Sequence, residues 1–196
     1  SGASVPVPKF FLAQKKDGTS LISKKIEDSF GFPCMVKPNA SGSSVGVSIV
    51  RDARDVSLAL EKAWREDEVA MIQRYIPGRE FSCGVMGNTG QTSIEALPVI
   101  EITPKSSEFF DYGAKYTPNA SEETCPAVLL EEITASIKKF SVLAHMTLGC
   151  DGLTRSDFRL DPEGSIFFLE INTIPGQTKT SLCPKEAAAA GMTFPE

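Results

Sequence analysis

Four residues toward the C-terminal end of the chain, Arg155, Asp157, Glu170 and Asn172, combine side-chain types that serve phosphate and metal chemistry. Two carboxylates with a neutral carboxamide oxygen make a hard-oxygen site of the kind Mg²⁺ uses when phosphates and water complete its shell. An arginine beside them offers a planar, positively charged fork for negative charge that builds up in a reaction. Whether the four can act together depends on the strands that carry them. The runs 153–160 and 165–172 flank Asp161-Pro162-Glu163-Gly164, a turn sequence, and predict a β-hairpin. With Asp161 set opposite Gly164, Asp157 faces Phe168 and Arg155 faces Glu170, so that Asp157 and Glu170 become diagonal neighbours about 7–8 Å apart. One face then carries Arg155, Asp157, Glu170 and Asn172. The other carries Phe158, Leu160, Phe167, Leu169 and Ile171 toward a core. A solvated strand face with an Arg155–Glu170 ion pair fits the same pattern.

The remaining chain supplies the elements that must hold this face. An entry strand over 5–13 precedes a helix over about 20–30, stopped by Gly31. A short apolar strand, 33–37, ends in Lys37 and runs into a loop of small polar residues, 38–46. After a strand at 47–50, Asp52 can cap a helix whose Val56, Ala59, Leu60, Ala63 and Trp64 fall at helical spacing. Strands follow over 69–75, 80–86 and about 92–102. The irregular segment 103–126 is long and aromatic, as lids and binding loops are. A helix over about 129–148, the hairpin and a last helix over 185–191 complete an α+β pattern with mainly hairpin-type connections.

The 196 residues are 41% hydrophobic and 23% charged, which suits one globular unit or two small lobes sharing a cleft. A net charge of −5 and a pI near 5.1 exclude an electrostatic grip on nucleic acid or on an anionic membrane as the main function. No apolar run approaches a membrane-spanning length, and no signal-peptide pattern opens the chain. Cys34, Cys83, Cys125, Cys150 and Cys183 are widely spaced without a C-x-x-C pair, which argues against a disulfide framework or zinc site and for a reducing cytoplasm. The single histidine, His145, reads as a packed or surface helix residue rather than a ligand or base.

Val36-Lys37-Pro38 with Gly42-Ser43-Ser44-Val45-Gly46 opens a series of motifs. Phe110-Asp111-Tyr112 with Ala114-Lys115-Tyr116, then Arg155-Ser156-Asp157, then Glu170-Ile171-Asn172-Thr173-Ile174-Pro175-Gly176 continue it. In this order they resemble the D-alanine–D-alanine ligases, ATP-grasp enzymes of peptidoglycan synthesis, from about Val5 to the end. The resemblance implies two α+β lobes with mainly antiparallel sheets enclosing a nucleotide cleft. Residues 1–100 would form the small central lobe, with its core at about 14–75, and 101–196 the catalytic lobe with a lid loop at 103–126. It implies ATP and two Mg²⁺ ions, with Mn²⁺ able to replace them, and D-alanine as substrate in the cytoplasm. A carboxylate would take the γ-phosphoryl group, and a second amine would displace phosphate from the acyl phosphate.

By the same resemblance Asp157, Glu170 and Asn172 hold the metals, and Arg155 with the Gly176 amide faces the reacting carbonyl. Lys37 and Ser44 meet the phosphates, although no Walker-type order is present. Gln73, Arg74, Tyr75 and Ile76 border the adenine, and Glu80 takes the ribose. Gln73 stands where many members have Glu, yet its carbonyl can still accept from the adenine amino group. Ser181 and Leu182 receive the second substrate. Lys115 neutralises the phosphoryl group, and Tyr116 closes the site through Ser43; this lid pair favours D-alanine as acceptor.

The family's N-terminal domain is missing from this reading and the last helix is cut short. The chain alone is therefore expected to be nearly inactive while still binding Mg-nucleotide; the resemblance allows a homodimer of the full-length protein. Two other readings compete: another ATP-grasp carboxylate–amine ligase, and a nucleotide-binding regulatory module.

Overall fold

In the computed structural model, residues 4–42, 44–90, 93–105 and 121–193 are described. The chain divides into two compact units, Pro8–Ile76 belonging to one, Pro77–Thr103 and the chain from Glu122 to the other. The expected boundary lay near residue 100. It falls earlier because the strand that follows Pro77 pairs along its whole length with the first strand of the C-terminal hairpin.

The four-stranded unit contains β1 (Phe10–Gln14), α1 (Thr19–Ser29), β2 (Cys34–Pro38), β3 (Ser48–Val50), α2 (Val56–Ala63) and β4 (Val69–Arg74). Its sheet runs β1-β4-β2-β3 with every pairing antiparallel. Strict alternation along β2 and β4 sends Cys34, Val36, Ala70 and Ile72 to one face. That face meets Ile22 and Ile26, one turn apart on α1, and Val56, Ala59, Leu60 and Ala63 of α2. The Asp52 carboxylate accepts from the Arg54 N–H at 2.9 Å, starting the 3₁₀ turn that leads into α2. Trp64 packs against this core, as its spacing predicted.

The six-stranded unit is built from β5 (Arg79–Asn88), β6 (Glu95–Ala96), β7 (Ile100–Pro104), β8 (Ser121–Thr124), β9 (Asp151–Leu160) and β10 (Ile166–Asn172), with α3 (Glu131–Thr147) and α4 (Leu182–Ala189). The order is β10-β9-β5-β7-β8, with β6 on the end of β5. The irregular segment expected over 103–126 is strand at its start, through Pro104, and again over Ser121–Thr124; residues 106–120 lie outside the described part. Phe81, Cys83, Phe158, Leu160 and Ile166 form the core under Ile137 of α3. Arg79 of β5 clasps Glu101 of β7 through two 2.7 Å bonds. His145 is fully buried on α3, its Nδ1 2.8 Å from the Thr154 hydroxyl of β9. Among the described residues no helix is long and apolar enough to cross a membrane.

The C-terminal hairpin forms, with a register that differs from the expected one. Its loop is the three residues Pro162-Glu163-Gly164, not two: Asp161 N–H donates to Ser165 C=O at 3.0 Å, and Gly164 takes the left-handed φ of 84° that closes such loops. Ile166 therefore pairs with Leu160 and Phe168 with Phe158. A β-bulge then intervenes, for Glu170 pairs with Asp157, which leaves Leu169 without a counterpart. Asp157 lies directly opposite Glu170 rather than opposite Phe168, and Arg155 opposite Asn172 rather than Glu170. Ile166 and Phe168, not Phe167 and Leu169, share the core face with Phe158; the Phe158 and Phe168 rings meet edge to face at 5.6 Å.

Candidate active site

One face of the β5-β9-β10 triplet is polar, and alternation makes it so. Glu80, Ser82 and Gly84 of β5 pair with Arg159, Asp157 and Arg155 of β9; across β9, Glu170 and Asn172 of β10 pair with Asp157 and Arg155. Asp157 is the hub of the contacts. Its carboxylate accepts two 2.9 Å bonds from the Arg155 Nε and Nη2, one of 2.8 Å from the Ser82 hydroxyl and one of 3.2 Å from the Asn172 amide. The same amide nitrogen donates to Glu170 at 3.4 Å.

The Arg155 and Asp157 side chains are only 14% and 12% exposed. Burial works against the Arg155 charge, but the charge and hydrogen bonds of Asp157, with Glu170 adding to them, more than offset it and hold the guanidinium above its usual range. Such a pair adds little net stability, yet removing one partner strands the other charge and costs about 3–5 kcal/mol. Among the described residues no three carboxylates, histidines or thiols gather as a cage. The set fits Mg²⁺, which prefers one or two carboxylates and takes its other oxygens from phosphate and water. Turning the Asn172 amide over would present its oxygen where its nitrogen now stands.

Beyond β10, Gly176 lies against Ser181: a Cβ on Gly176 would come within 3.0 Å of the serine hydroxyl. The Ser181 Oγ accepts from the Thr178 N–H at 3.1 Å, and its own N–H donates to Thr178 C=O at 2.9 Å. Ser181 precedes α4 and Leu182, its first residue, is buried, so the pair stands where helix amides favour a negative group.

In the four-stranded unit, Lys37 and Met35 of β2 share the face opposite the core with Met71 and Gln73 of β4, to which they are paired. Gln73 is buried and Arg74 exposed. The Arg74 and Tyr75 N–H groups donate to Lys9 and Pro33 carbonyls at 2.8 and 3.4 Å, and Ile76 is buried. Ser44 holds a left-handed φ of 58° in the turn after β2. Ser43, Lys115 and Tyr116 lie outside the described residues.

Sequence reading missed three side chains. Ser82 bonds Asp157, and the Arg159 Nη1 pairs with the Glu80 Oε2 at 3.0 Å. Both could have been found, since Glu80, Ser82 and Gly84, like Arg155, Asp157 and Arg159, alternate with period two. Glu186 of α4 had no such signal. It is fully buried and accepts the Gly84 N–H at 2.6 Å, while its Oε1 has no partner among the described residues. Gly84 must lack a Cβ, which would stand 2.6 Å from that carboxylate and 2.8 Å from Leu97. Burial pushes Glu186 up to about 8, and Asp157 adds to the shift, against the Gly84 bond and Arg155. The neighbouring thiols of Cys83 and Cys183 are pushed up to about 12, mainly by burial, which rules them out as thiolate nucleophiles at neutral pH.

Two antiparallel α+β units, one bearing a carboxylate–arginine face, make this an ATP-grasp fold. The family described as "D-ala D-ala ligase C-terminus" matches residues 1–196, and the chain belongs to it. D-alanine–D-alanine ligase of Syntrophobacter fumaroxidans is 44% identical over 193 residues, 98% of this chain and 60% of that protein. The enzyme of the same name from Pelotomaculum thermopropionicum is 40% identical over 196 residues, again 98% and 60%. Among solved structures, VanG D-Ala:D-Ser ligase from Enterococcus faecalis superposes with a TM-score of 0.83 at 32% identity, covering 98% of this chain and 55% of that one. D-alanine-D-alanine ligase from Coxiella burnetii gives 0.82 at 28%, covering 99% and 50%. The chain thus spans from half to three-fifths of the length of these relatives.

Proposed function

We propose that this chain carries the nucleotide-binding and ligating part of a cytoplasmic enzyme that joins two D-alanines at the expense of ATP. The observation that supports it most is the convergence of Arg155, Asp157, Glu170 and Asn172 on one strand face, in a chain whose relatives at 40–44% identity are named for that reaction. Mg²⁺-bound ATP would supply the phosphoryl group that makes the first carboxylate reactive. Asp157, Glu170 and Asn172 would hold the metal. Lys37 and Lys115 would neutralise phosphate oxygens and the Ser43 and Ser44 hydroxyls would donate to them, with Tyr116 closing the site through Ser43; Gln73, Arg74, Tyr75 and Ile76 would border the base, and Glu80 the ribose.

In this reading the carboxylate oxygen attacks the γ-phosphorus and ADP leaves. The second D-alanine's amine then attacks the acyl carbon and inorganic phosphate leaves. Phosphoryl and acyl transfer of this kind rest on positioning and on fixed charge. Arg155, kept charged by Asp157, and the Gly176 N–H would face the oxygen on which negative charge grows. Ser181 and Leu182 would orient the acceptor's carboxylate at the start of α4.

The test is D-alanine-dependent phosphate release from Mg-ATP by the protein as its gene encodes it. Release is expected, and Glu170→Gln is expected to abolish it while leaving the fold intact by circular dichroism. Release that ignores D-alanine would sink the proposal. The likeness to a D-Ala:D-Ser ligase supports a second reading in which D-serine is the acceptor. Product analysis with D-alanine and D-serine in competition decides it, and D-alanyl-D-alanine is the expected product.

A further inference from the structure

The polar face carries a second buried ion pair, whose arginine the ligation scheme leaves without a role. Glu80 of β5 and Arg159 of β9 are direct partners in the sheet register, the Arg159 Nη1 lies 3.0 Å from the Glu80 Oε2, and the two side chains are 7% and 12% exposed. We propose that Arg159 is a positioning residue for nucleotide recognition, fixing the Glu80 carboxylate so that it receives both ribose hydroxyls and selects ribonucleotide over 2′-deoxyribonucleotide. The inference rests on the reading of Glu80 as the ribose-binding carboxylate.

Three observations carry it. First, a guanidinium so deeply buried on a central strand needs a carboxylate, and Glu80, its direct partner in the register, stands 3.0 Å away. Arg159 is thereby directed to Glu80. Second, Glu80 is a long side chain at the start of β5; ordering it before nucleotide arrives removes that cost from binding. Third, the guanidinium is planar and carried on a sheet-bound backbone, and its Nη1 holds one carboxylate oxygen, Oε2, at 3.0 Å, which narrows the orientations open to Glu80 more than an ammonium on a flexible stem would. An oriented carboxylate can accept from two vicinal hydroxyls, and a 2′-deoxy sugar then forfeits one charge-assisted bond.

The experiment measures KM for ATP and for dATP, kcat, and KM for D-alanine in the protein as its gene encodes it, and in R159Q, R159K, E80Q and the R159Q/E80Q double variant. R159Q is expected to raise KM for ATP about tenfold or more, the scale of one bond to a charged group. Its kcat at saturating ATP and its KM for D-alanine stay near wild type, and its ATP-over-dATP preference falls to that of E80Q. The double variant is no worse than E80Q, and R159K, which keeps the charge without the fork, also loses preference. Because the preference is a ratio taken on one sample, it does not move with the amount of folded protein. An R159Q enzyme with wild-type preference, including one of lowered stability or kcat, overturns the role of Arg159 if E80Q has lost its preference. An E80Q enzyme with wild-type preference instead overturns the reading of Glu80. Should R159Q yield no folded protein, an unchanged ratio in R159K overturns the proposal.

Discussion

Glu186 shows what a single buried acid does to this protein. Its carboxyl titrates near 8 in the folded chain against an ordinary 4.5, so the native state keeps a proton that the unfolded state releases. Its contribution to stability is therefore complete below about 4.5 and is lost as pH rises through about 8. Glu186→Gln keeps an oxygen for the Gly84 N–H and carries no charge. Urea midpoints measured at intervals from pH 5 to 8 are expected to fall more steeply in the wild type than in the variant; parallel profiles would refute the assignment. Nothing local in the sequence announced this residue, because the bond that buries it joins positions 102 apart. That Asp157, Glu170 and Asn172 share one face was legible because their spacing suits one hairpin.

At the scale of elements, helices α1, α2 and α3 were readable because each presents apolar residues at the helical period, among them Ile22 and Ile26, Leu60 and Ala63, and Ile133 and Ile137. The β9–β10 hairpin was readable as a hairpin and misread in register. Ile166, Phe168, Glu170 and Asn172 all sit at even positions, so uninterrupted alternation cannot send the first two to the core and the last two to the polar face. A bulge is the physical way out, and a bulge leaves little mark in a single sequence. The pair that it protects is also a stability element. Phe158 is fully buried against Phe168, and Phe158→Ala is expected to cost about 3–5 kcal/mol in denaturant unfolding. A loss below 1 kcal/mol would show that the ring contributes less than its burial implies.

Across the whole molecule, the hydrophobic cluster around Ile72 and that around Phe158 have no residue in common. Substitutions in one should then leave the energetics of the other alone. Ile72→Ala alone is expected to cost about 2–5 kcal/mol. Combined with Phe158→Ala it should add to within about 0.5 kcal/mol in unfolding experiments, and a larger discrepancy would mean that the two cores are coupled. Their boundary at Ile76 and Pro77 escaped the sequence because strand pairing between positions as distant as Arg79 and Leu160, not local pattern, decides which unit β5 joins. Leu169 has a consequence on this scale too. By resetting the alternation of β10 it separates the residues that pack the core from those on the polar face, so Ile166 and Phe168 can drift among apolar types without displacing Glu170 or Asn172. Mutational tolerance and chemical precision can therefore coexist within seven consecutive residues of one strand.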